Sequence, residues 1–339
     1  MQESRGIKLK RAKNSDIKNK ILKILKENTS CFTSGEKISG EFGLSRAAFW
    51  KHIKHLRGDG YVIESFPRRG YRLVSVPEKL IEDNIRSGLA TRILGRNEIH
   101  CFDNITSTNE VACRLAEEGA LEGTIVTAES QTKGRGRMGR VWASPPGGGL
   151  YFSVILRPEM RIDEISAITL VMASAITKAI AIFCDTEPRV KWPNDIFLKK
   201  KKVSGILTET RAHPDRTDFI VLGIGVNVNT ETEKLPKEAT SIRSETGREV
   251  DRACLLRSIL ENIERYYLLF MEKGFEFFRS EVRSVSNVLG ENIRIETGRK
   301  IIEGTVYDID ERGALLVKDI AGEVHRIFSG DIFTSKPQV

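Results

Sequence analysis

"GRGRMGRVW", Gly134 to Trp142, is the stretch on which the reading of this chain turns. Three arginines fall within six positions, separated by two glycines and a methionine. Guanidinium groups are always charged and offer forked donors matched to phosphate and carboxylate, while the glycines let backbone N–H groups approach the same anion. Apolar strand-like runs flank the loop, Thr124–Ala128 before it and Leu150–Leu156 after it. Such flanks favour an ordered anion-binding loop over its rival, a disordered arginine-glycine segment that binds RNA. The loop is neither the nucleotide motif GxxxxGK[ST] nor a GxGxxG fingerprint opening a helix, so phosphoryl transfer and hydride transfer both lose ground.

Three further segments concentrate chemistry around it. "ITSTN", Ile105 to Asn109, joins a strand to a helix and offers Ser107, Thr108 and Asn109 to a small polar group; the spacing equally allows plain helix capping. "RVKWPND", Arg189 to Asp195, sets Lys191 beside a rigid Trp-Pro turn, a placement suited to holding an anionic oxygen, and the apolar strand "KVSGILTE" follows. "GIGVNVN", Gly223 to Asn229, ends a strand with two glycines that admit close approach of a ligand or mark a bulge.

Composition places these segments in an ordinary globular chain. With 339 residues, 40% of them hydrophobic, the sequence is long enough for two or three domains. Five scattered cysteines without a CxxC pair fit reduced thiols, and with no secretory signal legible at the N-terminus the expected compartment is the cytoplasm. The apolar run from Ile165 to Phe183 contains serines, threonines and a lysine and reads as a buried helix, so no membrane partner is expected. Residues 1–75 hold 17 Lys and Arg against 7 Asp and Glu, whereas the other 264 residues hold 37 against 39. All the excess positive charge is therefore N-terminal, as in a nucleic-acid-binding module.

That basic segment is patterned. Ile17, Ile21, Leu22, Ile24 and Leu25 share one helical face; Ser34 and Ser45 are N-caps of two further helices separated by Gly43. Ala48, Ile53 and Leu56 face inward on the last of these, leaving Arg46, Lys51 and Lys54 outward. A basic hairpin follows around Pro67-Arg68-Arg69-Gly70. Helix, turn, helix and hairpin predict a winged helix-turn-helix whose second helix enters the DNA major groove, with Ser45, Arg46, Lys51, Lys54, Arg68 and Arg69 as the DNA-contacting set. "SVPEKL", Ser75 to Leu80, reads as a linker. Beyond it, strands (Thr124–Ala128, Leu150–Leu156, Phe219–Val228) mix with helices (Asn109–Glu118, Ile162–Phe183, Ala253–Lys273) as an α+β domain, and short glycine-broken strands near the C-terminus read as a small β-barrel.

"STN", "GRGRMGRVW", "KWPND", "SGIL" and "GIGVNV", in this order behind "SGEKISGEFGLSRAAFWKHIKHLR", closely resemble the bifunctional biotin protein ligase and biotin operon repressor family over nearly the whole chain. The resemblance implies an α+β multidomain fold: an N-terminal winged helix-turn-helix over residues 1–75, a class II synthetase-like catalytic domain over 76–282 and an SH3-like C-terminal barrel over 283–339. It implies that biotin and ATP, with Mg²⁺ accompanying the nucleotide, form biotinyl-5′-adenylate, and that biotin then passes to a lysine of biotin carboxyl carrier protein. It further implies repression of biotin-synthesis genes at operator DNA by a ligand-promoted homodimer with the adenylate as corepressor.

The resemblance also distributes roles. Ser107, Thr108, Asn109, Gln131, Arg135, Gly136, Arg137, Lys191, Gly223 and Gly225 would bind biotin; Arg135, Arg137, Arg140, Trp142, Lys191 and Asn227 would bind ATP and the adenylate. Lys191 and Arg137 would be catalytic, stabilising charge at the α-phosphate. No carboxylate cluster for Mg²⁺ is legible, and no metal ligand is assigned. A lipoate ligase is the nearest alternative, but "PPGGGLYFS" lacks the paired arginines expected before such a glycine run. A regulator that binds biotin or its adenylate without catalysis is another.

Overall fold

The structure, a computed structural model, describes residues 17–334 apart from 19, 30, 59, 76–78, 214, 215 and 299. The basic residues 1–16 and linker positions 76–78 lie outside the described residues. The chain divides into two compact units, Met1–Ala90 and Thr91–Val339.

In the first unit a helix over residues 20–27 (α1) precedes α2 (Gly35–Glu41) and α3 (Arg46–Gly58). The Ser34 hydroxyl accepts from the Lys37 N–H at the start of α2, and the Ser45 hydroxyl accepts from the Ala48 N–H at the start of α3. Both caps satisfy amides that a helix start leaves without partners. Between the helices Gly43 adopts φ +62°, a turn geometry that suits glycine. The inward faces converge: Ile21, Leu22, Leu25, Ile38, Phe49, Ile53 and Leu56 form one buried cluster with Ile63 and Leu73. Those last two come from the antiparallel hairpin of β1 (Val62–Phe66) and β2 (Gly70–Ser75), which is anchored where the Tyr71 and Thr33 backbones exchange hydrogen bonds of 2.8 and 2.9 Å. The short α4 (Glu82–Arg86) completes the unit.

The second unit is built on a seven-stranded sheet. In chain order its strands and helices are β3 (Ile99–Phe102), α5 (Thr108–Glu117), β4 (Ile125–Ala128), β5 (Gly149–Leu156), α6 (Ile165–Ala181), β6 (Arg189–Lys191), β7 (Asp195–Leu198), β8 (Lys201–His213) and β9 (Arg216–Asn227). Strand order is β3-β4-β5-β9-β8-β7-β6, and only β3 and β4 pair in parallel. This is the α+β organisation expected, not a repeated βαβ winding. Strand β5 is buried at every position, as a central strand covered on both faces must be. Helices α7 (Ile242–Thr246), α8 (Arg252–Lys273) and α9 (Glu276–Val285) follow, with α6 packed against α8 and α9. Ile162–Ala181 has the length and hydropathy of a membrane span, but 72% of its apolar window is buried within the fold.

Three buried charged side chains brace this body. Arg252 and Glu129, 5% and 9% exposed, pair at 2.9 Å, and Arg252 also donates to the Gly149 carbonyl at 3.0 Å. Glu264 accepts from the backbone N–H groups of Arg92, Ile93 and Leu94, fixing the start of the unit to α8. The C-terminal strands β10 (Asn292–Thr297), β11 (Lys300–Ile309), β12 (Leu315–Lys318), β13 (Val324–Ile327) and β14 (Asp331–Thr334) form an antiparallel sheet in the order β13-β12-β11-β10-β14, consistent with the SH3-like expectation. It is tied to the α+β body by the Trp192 indole N–H, which donates to the Gly313 carbonyl at 3.0 Å, and by an Arg312–Asp163 pair at 3.0 Å.

Candidate functional site

A cavity of about 480 Å³ opens beside β8 and β9, a volume suited to a small molecule. One end is polar and buried. Ser107, Thr108 and Asn109, between 1% and 4% exposed, line it from the start of α5. Gln131 reaches across: its Oε1 accepts from the Thr108 N–H at 2.8 Å and its Nε2 donates to Ser144 Oγ at 2.8 Å. Ser153, on β5 beneath them, lies 2.6 Å from Asn109 Oδ1 and 2.8 Å from Thr108 Oγ1. Buried polar groups in such number are stable only when mutually bonded, and here they are.

Glycine is required at two wall positions. A Cβ at Gly223 would sit 1.8 Å from Asn109 Oδ1, and one at Gly225 would sit 2.4 Å from the Trp142 indole. Trp142 thus lies flat on the β9 backbone, with the Lys202 ammonium 5.3 Å from its ring centroid. Its buried Nε1 has no hydrogen-bond partner.

The other end is cationic. Residues 134–142 form a tight hairpin: the Gly136 N–H donates to the Arg140 carbonyl at 2.7 Å, and the Trp142 N–H to the Gly134 carbonyl at 2.9 Å. Met138 sits at its tip with φ +54°, a conformation costly for a residue with a Cβ and typical of functional loops. Arg135 pairs with Glu209 at 2.8 Å. Arg137 donates to Asn194 Oδ1 at 3.0 Å and to Ser329 Oγ at 2.7 Å. Arg140 pairs with Asp331. The arginine loop is therefore held by β8, by the turn after β6 and by the C-terminal sheet, whose Gly330, Asp331, Ile332 and Phe333 complete the cavity wall.

Lys191 enters from the end of β6, where the Trp192–Pro193 peptide is cis. Burial lowers the pKa of Lys191 and of Arg137 from their ordinary values, an effect that the Asp195 carboxylate partly opposes. Half-buried cations held this way stabilise a ligand's negative charge more than solvated ones do.

Of the residues expected at the small-molecule site, Ser107, Thr108, Asn109, Gln131, Arg135, Gly136, Arg137, Arg140, Trp142, Lys191, Gly223 and Gly225 all line this cavity. Asn227 does not. It is buried at the end of β9, where its Nδ2 donates to the Thr240 carbonyl at 3.0 Å and its Oδ1 has no partner. In the first unit Ser45 caps α3, Arg46, Lys51 and Lys54 are exposed along it, and Arg68 and Arg69 occupy the hairpin turn. Arg46 pairs loosely with Glu36 at 3.4 Å, and the Arg69 guanidinium lies 4.9 Å from the Phe32 ring centroid.

Family comparisons agree with this geometry. Residues 101–227 match the biotin/lipoate A/B protein ligase family, 18–72 an HTH domain and 288–334 the biotin protein ligase C terminal domain. The bifunctional ligase/repressor BirA of Bacillus subtilis (strain 168) is 39% identical over 322 residues, 94% of this chain and 98% of that protein. The chain belongs to the bifunctional biotin ligase and repressor family. The Escherichia coli (strain K12) bifunctional ligase/repressor BirA is 32% identical over 85% of this chain and 88% of its own. The biotin protein ligase from Aquifex aeolicus, solved in complex with biotin and ATP, superimposes with a TM-score of 0.62 at 32% identity, over 70% of this chain and 99% of that one.

Within this family framework, several residues at the site carry no local sequence signal. Ser144, Ser153, Ser329 and Asp331 become part of it only through the fold, and Glu209 closes the quoted "KVSGILTE" without its partners being legible there. Asn194 and Asp195 belong to the "KWPND" motif, so their neighbourhood was marked, though not their contacts. On α3 the exposed Trp50, with Lys54 5.5 Å from its ring centroid, joins the exposed surface that carries Arg46, Lys51 and Lys54.

Proposed function

We infer that this chain is a biotin protein ligase that forms biotinyl-5′-adenylate from biotin and ATP, transfers biotin to a lysine of biotin carboxyl carrier protein, and represses transcription through its helix-turn-helix. Family membership supports the reaction. The observation that carries the site is one cavity whose buried polar end adjoins a cluster of Arg135, Arg137, Arg140 and Lys191.

In this reading the ureido ring of biotin meets Ser107, Thr108, Asn109 and Gln131, with the β9 backbone at Gly223 and Gly225 alongside. Its valeryl chain runs toward Lys191 and its carboxylate toward the loop arginines. A carboxylate oxygen attacks the α-phosphorus of ATP in line; the new P–O bond forms as the bond to the β-phosphate oxygen breaks, and pyrophosphate leaves. Lys191 and Arg137 hold the charge that grows on the α-phosphate oxygens. Trp142, which lines the cavity, stacks on adenine. In the second step the neutral lysine amine of the carrier attacks the acyl carbon, the bond to AMP breaks, and the amine proton is lost to solvent. No enzyme nucleophile is needed.

Mg²⁺ accompanies the nucleotide and neutralises phosphate charge. The cavity's carboxylates Asp195 and Asp331 already face Lys202 and Arg140, so phosphate oxygens and water suit such an ion better than any side-chain cage. We assign DNA reading to residues 1–75, ligation to 76–282 and closure of the site to 283–339, in a cytoplasmic protein whose five cysteines stay free. One helix-turn-helix reads one half-site, so operator recognition calls for a homodimer, and adenylate that orders the loop favours it. Sedimentation with biotin and ATP against biotin alone tests that coupling; an unchanged association state sinks it. Biotin-dependent pyrophosphate release, measured beside lipoate, tests the reaction itself: release with lipoate alone, or with neither, refutes it.

A further inference from the structure

Strand β8 alternates its side chains, so Gly205, Leu207 and Glu209 share one face. Gly205 and Leu207 line the cavity and Glu209 is the next position on that face, just behind the wall. Its two carboxylate oxygens are divided between two cavity residues from different elements. One forms an ion pair with the Arg135 guanidinium at 2.8 Å and the other accepts from Asn109 Nδ2 at 2.9 Å.

The consequence for Asn109 follows from donor counting. An amide NH₂ has two hydrogens, and both are taken, one by Glu209 and one by the Leu207 carbonyl at 3.2 Å. A carboxylate accepts only, so the NH₂ edge of Asn109 is held toward β8, while its Oδ1 accepts from Ser153 at 2.6 Å in a side chain that lines the cavity. The Asn109 amide fills the space that a side chain at position 223 would take, so it packs directly against the β9 backbone. Asn109 therefore offers a ligand an acceptor and nothing else, which suits a ring N–H. The same carboxylate holds Arg135, a loop residue that is itself half exposed.

We propose that Glu209 is a positioning residue that sets the acceptor face of Asn109 toward the ureido N–H of biotin and, through Arg135, links occupation of that polar end to closure of the arginine loop over the adenylate. This rests on the biotin ligase reading of the cavity. Glu209 touches no substrate and acts only through its two partners.

Glu209→Gln is the direct test. A glutamine presents one acceptor and one donor edge, so it cannot receive both Arg135 and Asn109, and a donor then faces a donor. The expected result is about tenfold weaker biotin binding by calorimetry and about tenfold faster adenylate dissociation in the full-length protein, with pyrophosphate still released at saturating substrate. Combination with Arg135→Ala separates positioning from general damage. In the Arg135→Ala background Glu209→Gln should add less to adenylate loss than it does alone, because only the Asn109 route remains, while weakening biotin binding as much as it does alone, whereas simple destabilisation adds in full to both. Should Glu209→Gln not fold, Glu209→Asp decides: it keeps the charge but withdraws the carboxylate by one methylene, and a several-fold loss in both measurements is expected. Wild-type values in the folded variant, or equal addition in the double variant, overturn the proposal. Failure of wild-type protein to release pyrophosphate with biotin overturns instead the reading on which it rests.

Discussion

Replacing Lys191 by alanine removes a half-buried cation from the wall of the cavity that the arginine loop shares. An ammonium about 4 Å from a unit charge at an effective dielectric near 20 interacts with it by roughly 4 kcal/mol. Only the charge that grows between ground state and transition state accelerates the reaction, and ATP is already anionic. Taking about half the interaction as differential leaves ~2 kcal/mol, or roughly a 30-fold slower adenylation step. Arg137 and Arg140 remain, so activity falls without vanishing. The assay is single-turnover formation of labelled adenylate from α-labelled ATP at saturating biotin, with the carrier absent so that the second step cannot mask the first. Burial lowers the Lys191 pKa, so its ammonium form is lost as pH rises, starting below the ordinary lysine range. Wild-type adenylation should therefore fall at alkaline pH along a limb that Lys191→Ala lacks. A wild-type single-turnover rate in the variant refutes the argument; a loss confined to biotin affinity moves Lys191 from transition-state to ground-state binding.

Arg137→Gly removes the guanidinium that bridges Asn194 and Ser329, and adenylate should dissociate at least tenfold faster while unfolding by urea shifts little, because the loop is exposed. Arg252→Ala should do the reverse: it removes the arginine that pairs with the buried Glu129 at 2.9 Å, costing about 3–5 kcal/mol in chemical denaturation, with substrate affinities in the surviving folded fraction unchanged. A fragment beginning at Thr91 keeps the Glu264 clamp on residues 92–94 and the whole cavity, so it should retain biotin-dependent pyrophosphate release and lose operator binding in a gel-shift assay. Operator binding retained by that fragment would exclude Arg46, Lys51 and Lys54 as the DNA-reading residues.

Local physics made much of this protein legible in one dimension. Ser34 and Ser45 cap helices because a hydroxyl three residues before an amide meets it wherever a helix begins, and the inward faces of α1 and α3 follow from their apolar period. The arginine loop announced itself because charge density and glycine freedom are properties of nine consecutive residues. What tertiary structure alone decided is which distant groups these segments meet. Glu209 lies 100 residues from Asn109, and Ser329 lies 192 from Arg137; their contacts depend on the pairing of β8 with β9 and on where the C-terminal sheet docks. Asn227 makes the same point in reverse. Strand alternation puts it on the face of Gly223 and Gly225, yet at the end of β9 its amide turns to the Thr240 carbonyl instead of the cavity. Periodicity encodes the face a residue occupies within its own element, whereas the partner on that face is chosen by register and packing between elements, where a shift of one residue exchanges every contact.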